Sequence, residues 1–561
     1  MQKKPPPPQC RLRAPDQVMR LARMGASFPT RLSFMRVLLR RLSIEDAQLR
    51  RDVWQIGEDG FGRAVYSVVL GGYRYSLVVF STKLRDEDRS DRVIATAWDA
   101  SFVLFDGTPT TADLDRLEAE VPKQEAGRCR PTELVLARAN RSVRLFDHVI
   151  TALAAGRQPD PDLLRQIGYL MRTTAVYGNG KFGIADRSRI SDRPGLSGPF
   201  QAEMLAVWMM REFTFDLVAH SAAQRSVNAA RLDRDTQRNL GIGNATGLGM
   251  APFLVNHPAL IHNWVHARET ALARVCALEH PTSAAIGRVL MLIERASAHL
   301  EEWQIGDSAL TARNDVLRRE WRDLQQVVTR RWLEQPNPWA ALIQLSQHWG
   351  LDCQELLAAL LIEPYGALVD DLAATMKADE HSAIDAGMRA GQLQDLLEQN
   401  YKWALEVDFS DPQSQHHFWY VSETKLEPRL GLRTQEPGAE LESPLDIARQ
   451  AAALHGTLRA TPRKTTLAQV MARHPEHRAI ALRIQTGAQM PYFEIRDNTI
   501  GADLVPVDML RFKLAFFGAS KFDPKSDRWT RITMYQGAPT AQDLQDGFGD
   551  DWWLPVLGAR P

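Results

Sequence analysis

Residues 240–269 read LGIGNATGLGMAPFLVNHPALIHNWVHARE. The first half is dense in Gly241, Gly243, Asn244, Gly247 and Gly249. Glycine and asparagine tolerate left-handed backbone and leave N–H groups accessible. Read that way, 241–249 is a long loop joining two helical blocks, and its N–H groups could hold an anion. The second half takes up helical spacing near Pro258 or Ala259. There His262, His266 and Glu269 stand at i, i+4 and i+7, on one helix face.

Upstream, FQAEMLAVWMMREFTFDLVAHSAAQRSVNAAR (200–231) is apolar around most of its circumference, which predicts a central, buried helix. Glu212, Asp216 and His220 share one face of it. Two carboxylates and a histidine opposite two histidines and a carboxylate would suit proton transfer. The set His262, His266, Glu269, Glu212 and Asp216 also matches the ligands of an iron or manganese site in a helical bundle, although the usual Glu-x-x-His spacing is absent. Both readings expect His262 and His266 to lie near Glu212 or Asp216.

A second glycine-rich stretch, YGNGKFG (177–183), carries Gly178, Gly180 and Gly183 in G-x-G-x-x-G order. Lys181 would add a cation, and Arg172 stands just upstream. A dinucleotide fingerprint needs a strand before it. The preceding DLLRQIGYLMRTT reads as helix, so the expectation is an anion-contacting loop without Rossmann context. The two glycine-rich stretches are expected to meet in one cleft. Substrate-binding candidates are therefore Gly178, Gly180, Lys181, Arg172, Gly247, Gly249 and Asn244. Arg429 joins them, from the cation- and aromatic-rich HHFWYVSETKLEPRLG (416–431).

The order Gly247, Gly249, Met250, Pro252, Asn256, Pro258 resembles a loop of the fumarase and argininosuccinate lyase superfamily. That resemblance would imply elimination from a carboxylated substrate. The loop's serine pair and lysine are missing here, so no catalytic residue is carried over.

The rest of the chain sets bounds. It has 561 residues, 44% hydrophobic and 24% charged, with 68 basic and 68 acidic side chains. Zero net charge argues against nucleic acid as a partner. Four scattered cysteines without a C-x-x-C pair argue against a disulfide framework and fit the cytoplasm. No apolar run reaches membrane-spanning length. G-x-S-x-G, Walker, H-E-x-x-H and kinase signatures are missing.

Residues 1–43 hold ten basic side chains and one acid, Asp16. They are read as a disordered, proline-containing leader (1–30) followed by an amphipathic helix. Residues 31–130 are read as a small antiparallel sheet with flanking helices, 131–404 as a helical domain, and 405–561 as a mixed α/β region contributing to the site. The expected fold class is α+β, mainly α, with a small N-terminal antiparallel sheet, a central helical bundle and a mixed C-terminal part.

The expected function is that of a cytoplasmic enzyme acting on a small carboxylated or phosphorylated metabolite. Its catalytic candidates are His262, His266, Glu212, Asp216 and His220. The alternatives are a metal-dependent oxidoreductase and a non-catalytic regulatory or scaffold protein. The sequence names no cofactor and leaves a homo-oligomer open.

Overall fold

The computed structural model describes residues 11–26, 28–83, 98–121, 130–173, 190, 192–247, 257–303, 308–377, 383–410, 419–421, 428–430, 443–444, 447–495, 506–526 and 529–549. Its organising element is a nine-stranded sheet in the order β1-β2-β3-β4-β5-β6-β7-β12-β11. The strands are β1 (Arg50–Ile56), β2 (Gly62–Leu70), β3 (Tyr73–Ser81), β4 (Ala100–Asp106), β5 (Glu133–Arg141), β6 (Tyr169–Thr173), β7 (Gly241–Gly247), β11 (Ala519–Ser526) and β12 (Trp529–Met534). Three short strands, β8 (Trp419–Val421), β9 (Pro428–Leu430) and β10 (Ser443–Pro444), form a second sheet.

This corrects the expected fold class. The sheet is not small and not confined to the N-terminal part: β5, β6, β7 and the β11–β12 hairpin carry it into the parts of the chain read as helical bundle and mixed region. Residues 133–141 had a helix-like spacing of apolar side chains. In the structure they alternate faces from Val135 onward, with Val135, Ala137 and Ala139 in the main core and Leu136 in the core on the other side, while Leu134 joins the main core at a bulge. The stretch 241–247, read as a loop, is a strand between β6 and β12. Its glycines serve close approach rather than left-handed backbone. A Cβ on Gly241 would lie 2.2 Å from the Met534 carbonyl oxygen, and one on Gly243 would lie 2.9 Å from the Tyr169 ring.

A hairpin forms at Gly71-Gly72. Leu70 pairs with Tyr73, and both glycines have positive φ, 62° and 77°. The helix Thr111–Glu120 is capped by Thr110, whose side chain accepts from the Asp113 amide. It covers one face of the sheet, where Leu114, Leu117 and Val121 meet Val65, Val78, Phe80, Val103, Phe105 and Leu136. The opposite face is covered by the long helix Gln201–Arg225, which packs on β3 to β7. Met204, Val207, Trp208, Met209, Phe213, Leu217 and Val218 are all buried there.

The main core continues through the helices Pro258–Cys276, Ser283–Glu302 and Leu351–Leu361. It closes with Pro506–Phe517, whose Phe512 and Phe516 rings stand edge-on to Trp264. A separate helical core gathers Leu393, Leu397, Tyr401, Leu454, Leu467, Val470, Ile484 and Phe493.

The basic leader is built into the body rather than free of it from Arg11 onward. Val18, Met19, Leu21, Met24 and Phe28 are buried in the main core. Its arginines meet acids of the helical block: Arg13 pairs with Glu269 and Glu355, Arg31 with Asp370, and Arg36 with Glu363.

Candidate functional site

β6 and β7 are the one parallel pair among the described strands; every other pairing is antiparallel. The chain leaves β6 at Thr173 and β7 at Gly247, neighbouring parallel strands, and in sequence the glycine-rich stretches 178–183 and 247–249 follow them. The segment before the first of these, read as helix, is a short helix (Pro161–Ile167) stopped by Gly168 at φ 72° and followed by β6. The strand whose absence weakened the fingerprint is therefore present. Open α/β sheets place their ligands at the carboxyl ends of parallel strands.

Three candidate positions define this edge. Arg172 and Thr173 end β6 and are buried, and Asn244 of β7 pairs with Thr173 and is fully buried. Asn244 Nδ2 donates to the Thr173 carbonyl at 3.1 Å. Its Oδ1 accepts no hydrogen bond from the described residues. A buried acceptor of that kind needs a donor. Gly247 pairs with Trp529 of β12. Gly178, Gly180, Lys181 and Gly249 lie outside the described residues. Arg429 lies in β9 of the other sheet, and its side chain is outside the described residues.

Lys513, which the sequence reading passed over, belongs to the helix Pro506–Phe517 packed on β11 and β12. It is fully buried, and burial pushes its ammonium down to about 7. A signal was available. Arg511 and Lys513 interrupt the otherwise apolar LRFKLAFF (510–517), and a cation in such a run must either face solvent or be buried at a cost.

The acid–base candidates do not assemble as expected. Asp216 accepts from the Tyr66 hydroxyl at 2.6 Å and from Arg51 at 3.1 Å. His220 Nε2 lies 2.9 Å from the Gly57 carbonyl, so it carries the proton of that hydrogen bond. Glu212, partly buried, accepts from the Ala541 amide at 3.2 Å. Burial raises its carboxyl to about 7, against the opposing pull of Arg211.

His262 and His266 lie elsewhere. His262 Nδ1 accepts from the Tyr492 amide at 3.1 Å, and its ring stacks on Tyr492. Burial, and then the neighbouring His266, lower His262 to about 4. His266 is exposed. Glu269 is turned away into a paired hydrogen bond with Arg13 at 2.7 and 2.8 Å. Among the described residues, no hydrogen bond or ion pair links Glu212 or Asp216 to either histidine. The proposed metal set His262, His266, Glu269, Glu212 and Asp216 does not come together either. Among the described residues, the group with metal-ligand spacing is His474, Glu476 and His477.

Next to Glu212, Arg211 is fully buried. It donates to five carbonyls, those of Leu240, Gln237, Arg238, Ala538 and Pro539, at 2.7 to 3.3 Å. It thereby ties the entry of β7 to the segment that follows β12. Burial lowers its guanidinium to about 10, which leaves it charged at neutral pH.

No helix among the described residues is long and apolar enough to cross a membrane. Comparison with protein-family models, with curated proteins and with solved structures finds no match to this chain.

Proposed function

We propose that the protein is an enzyme that binds a small carboxylated or phosphorylated metabolite at the carboxyl edge of β6 and β7. The observation that carries this reading is the parallel pair, whose strands the two glycine-rich stretches follow in sequence. Glycine-rich sequence after a strand supplies backbone N–H groups for an anion, and Lys181 supplies a cation. Asn244 Oδ1 offers an acceptor to a hydroxyl or amine of the same ligand. Cys353 is a buried free thiol, as a reducing compartment allows, and we place the activity in the cytoplasm.

A thermal-shift panel of mono- and dicarboxylates, sugar phosphates and inorganic phosphate tests the reading. One class is expected to raise the melting temperature by several degrees. That shift should be lost in Lys181→Ala and reduced in Asn244→Ser. A shift that survives in both variants places the anion elsewhere. A panel without any shift removes the small-anion reading and leaves a regulatory or scaffold role.

A further inference from the structure

The sequence HPEH (474–477) forms a tight turn between the helices Leu467–Arg473 and Arg478–Gly487 of the second helical core. One donor atom from each of His474, Glu476 and His477 lies within 4.8 Å of the others. His474 Nδ1 is 3.2 Å from Glu476 Oε1, and His477 Nε2 is 4.0 Å from that same oxygen. Ligands about 2.0–2.2 Å from a tetrahedral zinc ion stand roughly 3.3 Å apart, so the turn needs little closing to surround one.

We propose that His474, Glu476 and His477 bind a divalent first-row transition cation of the zinc class. Two imidazoles and one carboxylate select such ions over magnesium and calcium, which take oxygen ligands.

The surroundings favour the ligand form of the site. His477 is buried at the end of the turn. Its Nε2 is 2.9 Å from the Thr457 hydroxyl, which fixes the ring. When Nε2 turns to a metal, the Thr457 hydroxyl can donate to the Ala453 carbonyl, 3.3 Å away. Glu476 is exposed and His474 half-exposed, so the ion can enter from solvent. Three protein ligands leave a fourth position for water. The ion would join the end of one helix to the start of the next, next to the helix Ile447–Arg459 that carries Thr457.

The test uses the full chain, freed of metal by chelation and titrated calorimetrically with Zn²⁺. One site per chain is expected. His474→Gln and Glu476→Gln should each weaken it at least tenfold, and the double variant should abolish it. His266→Gln, an exposed histidine elsewhere, should leave it unchanged. Zn²⁺ should raise the melting temperature of the parent and not of the double variant, and millimolar Mg²⁺ should not compete. Unchanged Zn²⁺ affinity in the double variant overturns the site. Binding weaker than about 1 mM in the parent also overturns it. Equal competition by Mg²⁺ overturns the cation class.

Discussion

Position on a helix face does not ensure convergence, and the long helix illustrates why. Glu212 and His220 share a face, yet eight residues of α-helix separate them by about 12 Å along the axis. The helix crosses several strands over that distance. Glu212 therefore meets the segment after β12, Asp216 meets β1 and β2, and His220 meets the β1–β2 turn. Glu212 is left in a costly setting, since burial raises its carboxyl to about 7 while Arg211 beside it is already satisfied by five carbonyls. A carboxyl whose folded value exceeds its unfolded value binds a proton more tightly in the fold. Stability then falls as pH rises from about 4.5 to about 7 and levels off above that range. Glu212→Gln keeps the acceptor for the Ala541 amide and removes the charge. It should stabilise the protein at pH 8 by on the order of 1–2 kcal/mol, discounted for partial exposure, and change little at pH 4.5. Urea unfolding across that range measures the difference. Parallel curves for parent and variant would show that Glu212 does not titrate in the fold.

Elements with strong patterning were legible from sequence. The buried helix around Trp208, the Gly71-Gly72 hairpin and the helix with three regularly spaced polar residues after Pro258 all form where the spacing placed them. β5, β6 and β7 were not legible, for two physical reasons. β5 and β6 are buried on both faces, so their apolar runs lose the alternation that distinguishes strand from helix. β7 is built from residues of low strand propensity, and what selects them is a neighbour distant in sequence: the Met534 carbonyl for Gly241 and the Tyr169 ring for Gly243. At the candidate site, Asn244 and Arg172 could be named from sequence. The parallel pairing could not, because neither β6 nor β7 carries the alternation of a half-buried strand. Gly241→Ala should cost about 2–3 kcal/mol, since backbone must move to admit the methyl group. Gly243→Ala should cost less, since an aromatic ring can shift by a few tenths of an ångström. Denaturant melts of the two variants rank them. Equal and small costs would mean that β7 is not held between β6 and β12.

At the scale of the molecule, zero net charge conceals a division of labour along the chain. The leader is almost purely cationic, and its partners are acids between Glu269 and Asp370. Composition suggested a disordered leader, but Arg13, Arg31 and Arg36 pair with acids of the fold, so the described residues from Arg11 onward are a structural segment of the main body. Arg13 is the clearest case. It donates to both oxygens of Glu269 at 2.7 and 2.8 Å and to both of Glu355 at 2.7 and 3.1 Å. Burial alone would raise the Glu355 carboxyl, but Arg13, with Arg268 and Arg23, overcomes that and holds it below the usual range. The stability contributed by a depressed carboxyl is present above its unfolded value and lost as pH falls through the folded one. Arg13→Met removes the main counter-charge from Glu355, which has no exposed side-chain surface, and leaves Arg23 at 3.3 Å and Arg268 at 3.8 Å. The variant should lose about 3 kcal/mol at pH 7, the lower end for breaking a buried pair, because these two arginines remain. The loss should shrink toward pH 4.5 as Glu355 in the variant takes up a proton. Chemical denaturation at the two pH values reads both effects. A loss below about 0.5 kcal/mol at pH 7 would mean that the leader merely rests on the helical block, and that the body folds without it.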